Sequence, residues 1–157
     1  METIDQALQQ RVWERVRGTA QPREPEPESL RELIAGEWAD SAAYLRLAEH
    51  YRGGEAALLR QMHRREQAHL ASLKGIYRVL TGRPAMVKSP PLPREGKETA
   101  LRRCYYREQR CMESYRQWMA HPVFGPVFEN MYAQELAHSG VLLELIGRLP
   151  AANIVAK

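Results

Sequence analysis

The sequence predicts an all-α fold: a four-helix bundle with one long crossover between its second and third helices, and a helical arm ahead of the first. Two observations carry that expectation. Four stretches repeat apolar residues at helical spacing over about twenty positions or more, whereas no stretch sustains the alternation of a half-buried strand. Their connections run short, long, short, as in a bundle where one link travels the length of the domain. A coiled-coil hairpin would instead need apolar seams uninterrupted by acids and histidines.

In chain order, residues 1–17 place Ile4, Leu8, Val12 and Val16 on one stripe, an amphipathic arm. The prolines that follow exclude continued helix, so residues 1–28 read as arm and Pro/Glu-rich linker, 29–150 as the bundle and 151–157 as a tail. Ser29 with Glu32 three residues later spells a capping box, which predicts a first bundle helix over about 30–52, ended by Gly53 and Gly54. The second runs from Glu55 to about Leu80 and closes at TGRP. AMVKSPPLPREG, rich in proline and too polar for a core, supplies the crossover. The third runs from Lys97 to about Met119, AHPVFGP breaks it, and the fourth runs from Val123 to about Leu149.

The chain has 157 residues, 44% hydrophobic and 27% charged, as expected of one globular domain with its own core. A net charge of +4, scattered along helices among glutamates, gives no nucleic-acid-binding stripe. No apolar run approaches the roughly 20 residues of a membrane span, and charges interrupt the N-terminus where a signal peptide would be apolar. The expected location is cytoplasmic. Cys104 and Cys111 form no CxxC pair and would lie about 10 Å apart on a straight helix, too far for a disulfide, in keeping with a reducing compartment.

Two Glu-x-x-His motifs carry the chemistry. Glu66 and His69 lie three residues apart on the helix side that also presents Met62, Leu73 and Ile76, so two ionisable groups point at a core. Burying them unpaired would cost several kcal/mol or more. Glu135 and His138 repeat the spacing in the fourth helix; superposing Glu66 on Glu135 also aligns Met62 with Met131, Ala68 with Ala137 and Leu73 with Leu142. The other two helices match as well: Glu37 precedes Tyr44 by seven residues, and Glu108 precedes Tyr115 by seven. The inward stripes read Leu30, Glu37, Tyr44, Tyr51 and Leu101, Cys104, Glu108, Cys111, Tyr115, Trp118.

Four carboxylates and two imidazoles at one level of a bundle are the donor set of a carboxylate dinuclear metal site. Four carboxylates contribute about −4, which two divalent cations neutralise, whereas one would leave about two negative charges in a low-dielectric interior. Paired occupancy is expected, with Glu66 and Glu135 as bridging ligands. Oxygen and nitrogen donors suit iron and manganese alike, so spacing leaves both open.

With these residues in place, the stretch 30–149 resembles the rubrerythrin branch of the ferritin-like superfamily. The resemblance implies that Glu37 and His69 serve one metal with Glu66, and that Glu108 and His138 serve the other with Glu135. It also implies two iron ions that react with hydrogen peroxide or dioxygen. Rubrerythrins usually carry a rubredoxin-like iron site held by two CxxC pairs; this chain has none, so its electrons would come from a separate donor protein. They also carry a further glutamate one turn beyond the third-helix ligand, where this chain has Cys111. Dimanganese catalases share the six-ligand pattern, and a non-catalytic metal-binding or storage protein remains a rival reading.

Tyr44 and Tyr115 are placed to hydrogen-bond the carboxylates or to serve as core aromatics. His63 is the reserve ligand, although Arg64 and Arg65 beside it suggest a solvent flank. Met62 and Met131 read as core fillers, since thioethers match a hard carboxylate site poorly. The arm cannot bury its stripe alone, and a homodimer is expected.

Overall fold

The computed structural model describes residues 23–150. They form four helices: α1 (Pro27–Ala48), α2 (Gly53–Thr81), α3 (Lys97–Arg116) and α4 (Gly125–Gly147). No strand occurs among the described residues, and the architecture is an all-α four-helix bundle. The arm of residues 1–17 and the tail 151–157 lie outside the described residues.

The ends of α1 differ from expectation. The capping box does not form: α1 begins at Pro27, and Glu26 at the N-cap makes no side-chain cap. Proline suits the first helical turn because its missing N–H would have no partner there. Ser29 therefore already lies inside the helix. At the other end, α1 stops at Ala48, and Gly53 opens α2 with φ +57° rather than capping α1. Tyr51, assigned to the inward stripe, falls in this link and is only half-buried. The end of α2 agrees with the sequence: Gly82 takes a left-handed backbone (φ 70°) and donates its N–H to the Arg78 carbonyl at 2.8 Å.

The helices bury their stripes in two apolar clusters. Leu30, Ile34, Leu73, Tyr115, Phe128 and Met131 anchor one; Tyr44, Leu47, Leu59, Met62, Leu101 and Leu142 anchor the other. Each draws on all four helices, so each caps one end of the bundle. Fully burying such a side chain contributes about 1.5–3 kcal/mol. The link between α2 and α3 touches α1 at both ends, where Arg31 donates to the Met86 carbonyl (3.4 Å) and Arg46 to the Pro93 carbonyl (3.1 Å). Its Ala85 and Val87 pack on the first cluster and Leu92 on the second, more apolar contact than its composition suggests.

Candidate metal centre

Between the two apolar clusters lies a polar layer: Glu37 from α1, Glu66 and His69 from α2, Glu108 from α3, and Glu135 and His138 from α4. The heptad stripes put them there, because residues seven apart return to nearly the same side of a helix. All six are 0–3% exposed, so water does not neutralise them.

These residues fall into two overlapping groups, each of which could hold a metal ion. One is Glu37, Glu66, His69 and Glu135; the other is Glu66, Glu108, Glu135 and His138, with the donor atoms of each group within 4.8 Å of one another. Glu66 and Glu135 belong to both. His69 Nδ1 lies 3.1 Å from Glu135 Oε1, 3.2 Å from Glu66 Oε2 and 3.4 Å from Glu37 Oε2. His138 Nδ1 lies 2.7 Å from Glu66 Oε1, 3.1 Å from Glu135 Oε2 and 3.8 Å from Glu108 Oε1.

The tyrosines cross the bundle. Tyr44 of α1 donates its hydroxyl to Glu108 of α3, and Tyr115 of α3 donates to Glu37 of α1. Each ring also stands edge-on to a histidine, Tyr44 against His138 at 5.9 Å between centroids and Tyr115 against His69 at 6.5 Å. The crosswise pairing makes α1 and α3 antiparallel and gives the layer an approximate two-fold arrangement.

Whether a cation fits is decided by the atoms left over. Glu37 Oε2, Glu66 Oε1, His69 Nδ1 and His138 Nε2 are buried without a hydrogen-bond partner. His69 Nδ1 has three carboxylate oxygens around it, yet none is aligned for a hydrogen bond. A proton satisfies one direction at a time, while a cation satisfies every donor that converges on it. The ring is also placed for a ligand: Nε2 lies 3.0 Å from Gln134 Oε1, an acceptor that in the neutral ring would hold the proton there and leave the Nδ1 lone pair to the carboxylate side.

Charge strain in the bare cluster points the same way. Burial and the adjacent Glu66 push Glu37 up to about 7. Burial and the Glu135 charge raise Glu108 well above the usual carboxylate range. For Glu135, burial and Glu37 act upward, but the His138 and His69 imidazoles beside it outweigh them and hold it low. Burial alone would depress both histidines; the surrounding carboxylates instead raise His138 to about 9 and His69 further. Protons thus partly neutralise the bare cluster, and two cations would do so without protonating the ligands.

Several residues near the site were not singled out from sequence. Gln134 is one. Asp40, one turn beyond Glu37, is another: it is buried and pairs with Arg107, and burial still pushes it up to about 6 against the pull of that guanidinium. Their sequence signal is weak, because each matters only through a neighbour on another helix. His63, the reserve ligand, points elsewhere: its Nδ1 lies 2.9 Å from Ser41 Oγ and 2.8 Å from the Ser41 carbonyl. Met62, Met131, Cys104 and Cys111 are buried, and none belongs to either donor group. Among the described residues no helix is long and apolar enough to cross a membrane. Compared with protein-family models, curated proteins and solved structures, the chain matches none.

Proposed function

We propose that this chain is a ferritin-like dinuclear metalloprotein of rubrerythrin type, an oxidoreductase that reduces hydrogen peroxide or dioxygen with electrons from a separate donor protein. The observation that carries the reading is the pair of buried four-residue groups sharing Glu66 and Glu135, with the partnerless Glu37 Oε2, Glu66 Oε1 and His69 Nδ1 among their donor atoms. Glu37 and His69 would hold one ion and Glu108 and His138 the other, with Glu66 and Glu135 common to both. Iron is the assignment favoured by the resemblance, and manganese is the alternative. Two such ions would supply redox equivalents and Lewis acidity at one buried point.

The chain's own residues supply geometry, exclusion of water and control of protons. The apolar clusters on either side keep bulk solvent from the layer. Tyr44 and Tyr115 orient Glu108 and Glu37 and keep a proton at each hydroxyl beside the ligands. Reduction of hydrogen peroxide to two waters consumes two electrons and two protons, so protons held beside a centre shielded from solvent are a functional requirement. With no CxxC pair in the chain, the electrons come from outside.

The deciding experiment is metal analysis of protein purified without chelator, with visible spectra before and after peroxide. About two irons per chain, a charge-transfer band on oxidation and donor-dependent peroxide consumption are the expected results. Two manganese with dioxygen released from peroxide would replace the reading by a catalase-like one. Metal binding with no turnover would leave a storage or carrier protein, and no metal after reconstitution would remove the enzyme reading. Glu66→Ala should lose paired metal; full stoichiometry in that variant would refute the shared-ligand role.

A further inference from the structure

Helices α1 and α3 leave a cleft of about 180 Å³ between them, lined by Ser29, Gly36, Arg107, Arg110, Cys111 and Ser114 among others. Its deepest lining side chain is that of Cys111, 6% exposed and one turn from Glu108 on the same stripe. Arg107 stands in this cleft. Its Nε donates to Asp40 Oδ1 at 2.5 Å, and its Nη2 lies only 2.5 Å from where a Cβ on Gly36 would sit. Only glycine at 36 leaves room for the guanidinium to lie there. The arginine side chain is 29% exposed and that of Asp40 is 5% exposed, so the pair spans from solvent to the buried layer.

The two apolar clusters seal the ends of the layer, and Gln134 pairs with His69 on the α2–α4 side. On the α1–α3 side the Arg107 guanidinium, paired with Asp40, shares the cleft with the Cys111 thiol. We propose that the α1–α3 cleft is the route by which small polar solutes reach the carboxylate–histidine layer, and that Arg107, latched on Asp40, is the group that must move to admit them. The oxidant is such a solute, so this part of the inference rests on the redox reading above. The latch itself does not.

The test reads the cleft and the centre separately. In a Cys104→Ala background, methyl methanethiosulfonate modification of Cys111 in the metal-free protein is timed by mass spectrometry. Arg107→Ala should speed it by about tenfold or more, because solute access tracks the population of the locally open form. Gly36→Ala, which displaces the guanidinium, should speed it as well, and Arg107→Lys should restore part of the protection. Arg103→Ala removes the ion pair from Arg103 of the same helix to Glu95 of the preceding link, neither of which lines the cleft, and should leave the rate unchanged. An unchanged rate in Arg107→Ala, or an equal rise in Arg103→Ala, would overturn the latch.

The second arm uses cobalt(II)-loaded protein and follows azide binding by visible absorption. Arg107→Ala should raise the azide on-rate by a similar factor with the same final spectrum. If the thiol rate rises and the azide rate does not, solutes reach the centre by another way and the route is overturned. Failure to take up cobalt would count against the metal reading alone, with the thiol rates still deciding the latch.

Discussion

His69 Nδ1 has three carboxylate oxygens within 3.1–3.4 Å and hydrogen-bonds none of them, and Gln134, 3.0 Å from Nε2, holds the other side of the ring so that Nδ1 faces them. Removing the acceptor with Gln134→Leu should weaken metal binding about 10–100-fold, as loss of an outer partner of a ligating histidine typically does. Gln134→Glu, which keeps an oxygen, should restore most of it; competition with a chromophoric chelator measures both. Tyr115 is tested differently, in the metal-free protein. Tyr115→Phe leaves a Glu37 oxygen without its donor and should cost about 1–3 kcal/mol in urea denaturation. The six donors and both tyrosines were legible in the sequence because each sits at a heptad position of an inward stripe. Gln134 and the Asp40–Arg107 pair were not. Gln134 and Arg107 flank an inward glutamate by one residue, and whether such a side chain reaches inward depends on the neighbouring helix.

At the level of the elements, the join between α3 and α4 is closely packed. Trp118 packs on Phe128 at 5.0 Å between ring centroids and Tyr115 on Phe128 at 5.9 Å, so one ring holds two aromatics of the preceding helix end. Phe128→Ala should destabilise the fold by about 3–5 kcal/mol, the usual range for emptying a buried aromatic site, as read from denaturant midpoints. Gly125 makes the join possible: a Cβ there would collide with the Met119 carbonyl oxygen, an atom of the backbone that cannot swing aside. Gly125→Ala should therefore lower the melting temperature, whereas Gly140→Ala, with open space around it on α4, should not. Helix existence and period were readable for all four elements; the ends of α1 were not, because proline at its first turn and the left-handed Gly53 override the capping-box pattern.

For the whole molecule, the buried layer sets the dependence of stability on pH. Glu37 goes from an ordinary 4.5 to about 7 in the fold, so between those values the native state holds more protons than the unfolded chain, and stability falls as pH rises. His138 goes from 6.5 to about 9 and acts in the same direction over that higher window. Glu135, held low, adds stability above 4.5 that is lost only at more acid pH. The metal-free protein should thus lose urea stability steadily from about pH 5 to about pH 8, while metal-loaded protein should lose little or gain, since ligand protons are then displaced and metal binding strengthens with pH. Parallel urea titrations with and without metal check this. Period, spacing and the repeat of Glu66–His69 in Glu135–His138 determined by themselves that the chain forms four helices and which side chains face inward, because both are properties of a single helix. Which donors meet, which nitrogen of His69 is left facing the carboxylates, and which face of the bundle carries a cleft were decided only by the tertiary structure, since each depends on distances between helices that local spacing does not encode.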